Sequence, residues 1–224
     1  MYYVAANFGR RSTSGGNEGG TGGSSGGSNG GTTVIPDTQT PLDPGITIAD
    51  QDVPLAGAVG LNDADHFAYV IGYEEDGTVR PLNNISRAEV ATIFFRLMTE
   101  EFRQSNWSTV NSFIDVEEGD WYNNAVSTCA KAGILTGYAD GSFKPDASIT
   151  RAEFAAVAAR FLDDSYVDDG KGDFSDTADH WAASYIRLAA KAGWINGSGN
   201  RFDPEEYITR AQVMTIVNRM LDRT

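Results

Sequence analysis

The sequence predicts a mainly α fold in which three helix-loop-helix units share one core, behind a linker too polar to fold. Three observations predict it. The chain repeats itself three times beyond Leu61, every repeat carries a helix-start signature, and an apolar stripe of helical period follows each signature.

The linker comes first. From Ser12 to Thr33 nearly every residue is Gly, Ser, Thr or Asn, a composition that cannot bury enough apolar surface to offset its ordering entropy. As a Gly-rich coil of ~22 residues it would span roughly 25 Å r.m.s.. Val34 to Gly60, with Pro36, Pro41, Pro44 and Pro54, predicts a stiffer extended run. Residues 1–60 therefore read as a tether, and the remaining ~160 residues are enough for a domain with a proper core.

The repeats are clearest in their middle and last copies. Phe113-Ile-Asp-Val with Trp121 matches Phe174-Ser-Asp-Thr with Trp181, and Lys131-Ala-Gly133 matches Lys191-Ala-Gly193. Gly137-Tyr-Ala-Asp-Gly-Ser-Phe-Lys-Pro145 corresponds to Gly72-Tyr-Glu-Glu-Asp-Gly-Thr-Val-Arg-Pro81 and to the shorter Gly197-Ser-Gly-Asn-Arg-Phe-Asp-Pro204. Ile85-Ser-Arg-Ala-Glu89, Ile149-Thr-Arg-Ala-Glu153 and Ile208-Thr-Arg-Ala-Gln212 close the units. The predicted boundaries are 61–112, 113–173 and 174–224. The first unit has only Leu61 to Val70 where a whole helix is expected, so it is truncated at its start.

Each closing motif predicts a helix. Ser86, Thr150 and Thr209 stand at the N-cap, with Glu89, Glu153 and Gln212 three residues on, which is a capping box in every copy. Apolar residues then fall at helical spacing: Val90, Ile93, Phe94, Leu97; Phe154, Val157, Ala158, Phe161; Val213, Ile216, Val217, Met220. In the second and third units an earlier helix is predicted from Trp121, Ala125, Cys129 and from Trp181, Tyr185, Ala189, with Gly133 and Gly193 as C-terminal stops. One such helix pair cannot bury its own stripe, so the units must share a core.

Composition excludes several function classes. With 31 acidic and 17 basic residues the formal net charge is -14 and the pI about 4.4, the wrong sign for holding a phosphate backbone, so no nucleic-acid partner is expected. No run approaches the ~20 apolar residues of a membrane span. The first ten residues lack the basic and apolar regions of a signal peptide, which suggests the C-terminal piece of a larger protein with its cargo upstream. Cys129 is alone, so no intrachain disulfide and no cysteine-based metal site is expected, and its place on a helical stripe reads as packing. His66 and His180 lack the partners of a metal or nucleophilic site. Acidic pairs such as Asp163-Asp164 and Asp168-Asp169 lie in loops and do not form the paired carboxylates of a wall hydrolase. Neither an enzyme nor a cofactor is expected, and Asp140 and Asp76 brace turns with no calcium loop following.

Phe-x-Asp-Val…Trp, Gly-Tyr-x-Asp-Gly-x-Phe-x-Pro and Ile-Thr-Arg-Ala-Glu, in that order, resemble the S-layer homology family over Leu61 to Thr224. The resemblance implies a pseudo-threefold bundle with grooves between neighbours. It further implies binding of secondary cell wall polysaccharide, often with pyruvylated amino sugars, on the extracellular surface of Gram-positive bacteria. Residue chemistry agrees at one point. A capped helix start gathers free amides and the positive end of the dipole, and the next residue is Arg87, Arg151 or Arg210, whose planar fork can hold a carboxylate bidentately. The alternative is that each arginine pairs with an acidic neighbour of the chain. Trp121 and Trp181 suit the apolar face of a pyranose, with core packing as their alternative. Asp115, Asp176, Gly137 and Gly141 complete the candidate ligand-binding set, with N-capping for the aspartates and turn formation for the glycines as structural roles. Three grooves on one chain would bind with avidity. A rival reading is a protein-protein assembly module of a surface layer that binds no glycan.

Overall fold

A computed structural model describes residues 58–73, 77–170 and 173–223. The expected tether lies outside the described residues except for 58–60, as does Asp76. Six helices are present among the described residues: α1 Arg87–Leu97, α2 Glu100–Asn106, α3 Asn123–Lys131, α4 Arg151–Ala159, α5 Ala183–Lys191 and α6 Arg210–Met220. Extended pairing among them is limited to isolated bridges.

The capping boxes form as the sequence predicts. Ser86, Thr150 and Thr209 each accept from the backbone N–H three residues on, and Glu89, Glu153 and Gln212 reach back to the cap's own N–H. Both partners of each pair satisfy an amide that the helix leaves orphaned. α3 and α5 start without any side-chain cap and stop at Gly133 and Gly193, whose φ angles of +73° and +77° suit glycine. α2 is unanticipated. It is a seven-residue helix capped by Thr99 and tied by Arg103 to Glu100, too short and too polar to leave a periodic stripe.

α1, α4 and α6 turn their stripes inward. Phe94 stacks on Phe154 and Phe161 at centroid distances of 5.9 and 4.8 Å, and Val90, Val157, Val213 and Val217 are buried around them. α3 packs on α1 and α5 on α4. Cys129 faces α1 with its sulfur 3.6 Å from the Ala91 carbonyl, and burial pushes its thiol up to about 12, an inert packing residue.

α6 is flanked differently. The segment from 58 to 71 contains no helix and packs against it as an irregular strip. Buried Tyr69 donates its hydroxyl to Asn218 Oδ1 at 2.8 Å and to the Met214 carbonyl at 3.3 Å, and Arg223 donates to the carbonyls of Asn62 and Asp65. Val59 N–H donates to Phe161 O, and Asn62 N–H to Leu97 O, so this strip is fixed at both edges.

The three capped starts meet at one end. Ile85 N–H donates to Ile208 O, Ile208 N–H to Ile149 O, and Ile149 N–H to Ile85 O, which closes a ring of three bonds between 3.1 and 3.2 Å. A second set runs beside it, from Arg87, Arg151 and Arg210 N–H to the carbonyls of Ala147, Glu206 and Asn83. Each helix start is therefore pinned to the loop that precedes a different helix, which places Arg87, Arg151 and Arg210 at three junctions.

Candidate functional site

At two junctions the arginine is fully engaged. Arg87 donates from Nε to Phe143 O at 2.7 Å, from Nη2 to Thr136 O at 2.8 Å and from Nη1 to Glu153 at 3.2 Å. Its guanidinium lies 4.7 Å from the Tyr138 ring centroid. Tyr138 donates its hydroxyl to the same Glu153 oxygen at 2.7 Å, and burial, reinforced by that carboxylate, pushes the phenol up to about 12. Arg210 repeats the pattern with Val79 O, Ile71 O and the Glu89 carboxylate, under the Tyr73 ring, with Tyr73 bonded to Glu89. Arg87 and Arg210 are each only 4% exposed. Their forks hold carbonyls and carboxylates of the chain itself, which is the alternative the sequence left open for these residues.

The third junction differs. Arg151 donates to Phe202 O at 2.8 Å and Asn196 O at 3.2 Å and lies over the Phe202 ring, but it is half-buried. The position equivalent to Glu89 and Glu153 holds Gln212, and the turn equivalent to Tyr73 and Tyr138 is Gly197-Ser-Gly-Asn. A cleft of about 20 Å³ opens here, lined by Arg151, Asn196, Phe202, Gln212, Thr215 and Arg219. Arg219, buried from α6, donates to the Trp194 carbonyl at 3.3 Å, and desolvation lowers its pKa.

Trp121 and Trp181 stand outside α3 and α5, 68% and 60% exposed. The predicted helices therefore start after them, and the core-packing alternative is corrected. Their rings face outward with Tyr122 edge-on to Trp121 at 5.2 Å and His180 beside Trp181 at 5.5 Å.

Asp115 and Asp176 are not N-caps, which corrects that expectation. The Asp115 carboxylate accepts from Phe143 N–H at 2.7 Å and Lys144 N–H at 2.8 Å, and Asp176 accepts from Phe202 and Asp203 N–H, both at 2.9 Å. Lys144 and Asp203 have φ of +56° and +55° and each precedes a proline, a conformation side chains and a following Pro both disfavour. The aspartates clamp that strained step. Burial pushes Asp176 up, yet the two amides hold its carboxyl below the usual range.

The turn glycines have distinct reasons. Gly141 has φ +83°. At Gly137 a Cβ would come within 2.5 Å of the Phe113 ring and 2.6 Å of Ser142 O, so the residue is needed for close approach. Asp140 accepts from Ser142 N–H and Oγ at 3.0 and 2.6 Å, bracing the turn as the sequence suggests. Sequence reasoning missed the tyrosine lids and Arg219. The one signal that could have found them is that Gly-Tyr occurs in two turns and is missing from the third.

Residues 112–155 and 173–214 match the S-layer homology domain. The chain is 36% identical over 183 residues to cell surface glycoprotein 1 of Acetivibrio thermocellus, covering 77% of this chain and 8% of that protein. It is 34% identical over 178 residues to the cellulosome-anchoring protein of the same organism, covering 77% and 39%. With the surface-layer 125 kDa protein of Lysinibacillus sphaericus it shares 32% identity over 197 residues, covering 78% and 16%. The chain thus spans well under half the length of these relatives.

Proposed function

We propose, from the matches of residues 112–155 and 173–214 to the S-layer homology domain, that the chain anchors a surface protein to the bacterial cell wall by binding an anionic, pyruvylated secondary wall polysaccharide. Relatives named as a cellulosome-anchoring protein and as a surface-layer protein support an extracellular place at the wall and a binding role with no catalytic one. In this reading the folded region consists of three units, 61–112, 113–173 and 174–224, around a pseudo-threefold axis, with residues 1–60 as the tether to cargo. The ring of bonds through Ile85, Ile149 and Ile208 supports the axis. The first unit uses the irregular strip 58–71 in place of its missing helix.

One observation carries the glycan assignment. Trp121 and Trp181 occupy corresponding places in the two matched domains and offer largely exposed indole rings to solvent, a costly display for residues that normally bury most of their surface. Such faces suit the apolar side of a pyranose, while the half-buried guanidinium of Arg151 supplies charge complementarity to a ketal carboxylate. Asp115, Asp176, Gly137 and Gly141 hold the loops that set these groups in place.

Co-sedimentation with purified Gram-positive sacculi tests it, before and after chemical removal of the secondary polysaccharide and with Arg151→Ala alongside. Binding is expected to vanish with the polysaccharide and to weaken in the variant. Binding indifferent to both would instead establish the protein-protein assembly role.

A further inference from the structure

The loops that lead into α3 and α5 are tied to their helices alike at one point and differently at the next. Lys131 Nζ donates to Trp107 O at 3.1 Å and Lys191 Nζ to Val167 O at 3.4 Å, so both loops pass the helix ends in the same way. One turn earlier the helices differ. Arg187 on α5 reaches the loop carboxylates of Asp168 and Asp173 and spans the gap between loop and helix. Its counterpart on α3 is Ser127, and the counterpart of Asp173 is Ser112. Here short side chains hold the loop: Asn111 Nδ2 donates to Asn123 Oδ1 at 3.0 Å and to Ser127 Oγ at 3.1 Å. They leave a groove of about 480 Å³ lined by Val110, Asn111, Ser112, Phe113, Ser127 and Lys131 among others, a volume in the range of small-ligand sites.

The lining selects among ligands. No carboxylate lines the groove, although the chain holds 31 acidic residues, so a basic ligand finds no counter-charge there. The Lys131 ammonium has three donors and gives one to Trp107 O. A wholly apolar side chain seated over it would strip water from the charge and return no hydrogen bond. Apolar surface lies beside those donors: Val110 is 78% exposed, and Trp107, where the loop begins, 47%. A sugar ring has the same division, with hydroxyls at its edge and C–H groups on its faces. We propose that this groove is a saccharide site separate from the three arginine junctions, taking uncharged sugar residues whose hydroxyls bond Ser112 and Lys131 while Val110 and Phe113 meet an apolar face. This rests on the anchoring reading for the source of the sugar, a wall glycan, but not for the existence of the site.

The test is a titration of the ¹⁵N-labelled chain with two uncharged trisaccharides, triacetylchitotriose and maltotriose, following the amides of residues 110–112 and the Trp107 indole N–H. A saturable shift is expected with at least one of them, and Arg151→Ala should leave it unchanged. Val110→Asp alters an exposed rim residue, so Tm should hold while binding weakens roughly tenfold or more. Lys131→Met keeps the stem and removes the donors, so it too should weaken sugar binding, whereas an apolar peptide would bind it as well or better. No saturable shift with either sugar, or binding that both variants leave intact, would overturn the assignment. Shifts at 110–112 that appear on concentrating the chain alone would make the groove a protein contact and overturn it as well. Pelleting with native and polysaccharide-stripped sacculi separates the site from the anchoring reading. If wild type and Val110→Asp pellet equally with native sacculi, anchoring stands and the groove assignment falls. If neither pellets while a trisaccharide still shifts the groove, anchoring falls and the saccharide site stands. A Val110→Asp defect seen with native sacculi alone places the sugar on the secondary polysaccharide, and one seen with stripped sacculi too places it on the peptidoglycan strands.

Discussion

At the scale of single residues, the molecule separates side chains that hold the fold from side chains that face outward, and mutation should separate them too. Asp115 and Asp176 each take two amide donors from a strained left-handed step. Bonds to a charged group contribute more than neutral ones, and their loss would leave the amides unpaired and the strained step unsupported. Asp115→Ala is therefore expected to cost about 3 kcal/mol, read as a lower urea midpoint at unchanged m-value. Trp121→Ala and Trp181→Ala remove solvent-facing rings and should move stability by no more than about 0.5 kcal/mol, while reducing co-sedimentation with native sacculi. A large fall in stability for either tryptophan would mean that its ring packs more than its exposure implies. All four residues stand out in the sequence, but their roles are only half legible there. A motif shows that Asp115 precedes a helix, and capping is the local role such an Asp takes; its actual partners lie 28 and 29 residues away, beyond any local pattern. Glutamine at 212 is visible as a departure, yet its meaning needs the junction geometry.

At the scale of elements, what local chemistry determines is readable and what tertiary contacts determine is not. The three capping boxes are self-contained, each closing within four residues, so sequence alone finds them. Thr150→Ala should cost about 1 kcal/mol in chemical denaturation, and Thr150→Ser much less. α2 has neither an apolar stripe nor length, and owes its place to Phe102 packing under Gly60, where a Cβ would come within 2.9 Å of the ring. The segment from 163 to 170 shows the same dependence. Arg187 on α5 donates to Asp168 and to Asp173, and this fork holds the Asp168 carboxyl well below the usual range. A carboxylate depressed in the folded state stabilises it fully above its unfolded pKa of about 3.9 and loses that contribution as pH falls through the folded value. The loop should therefore remain docked from neutral pH down to about 4 and loosen only in stronger acid. Carboxyl ¹³C shifts check this directly: Asp168 should titrate below about 3.9 in the wild type and return toward that value in Arg187→Ala. An Asp168 that titrates normally in both would remove the fork as the anchor of the loop.

At the scale of the whole molecule, the bonding pattern makes the folded region a single cooperative body. In a linear array each unit touches only its neighbours, and stability adds unit by unit. Here the ring through Ile85, Ile149 and Ile208 joins segments 59 to 123 residues apart in both directions along the chain, and Phe94 on α1 stacks with Phe154 and Phe161 beyond the next two helices. None of the three ring bonds closes within one segment. A peptide of residues 113–173 keeps α3, α4 and the Thr150 box, but α4 would expose Phe154 and Val157, and the Ile149 and Arg151 amides would lose Ile85 O and Glu206 O. Its local helical signals are worth only about 1 kcal/mol each, too little against the entropy of ordering some sixty residues. That peptide is therefore expected to show little helical circular dichroism and no cooperative melt, whereas residues 58–224 should unfold in a single transition with equal calorimetric and van't Hoff enthalpies. Tyr69→Ala probes the closure from the other side. It removes the buried ring that fastens the strip 58–71 to α6, and should cost about 3 kcal/mol or more while leaving the melt a single transition. If the strip behaved as an independent flap, Tyr69→Ala would instead split off a separate early phase, and the 113–173 peptide would fold alone; either result would place the stability in the separate units and not in the ring that joins them.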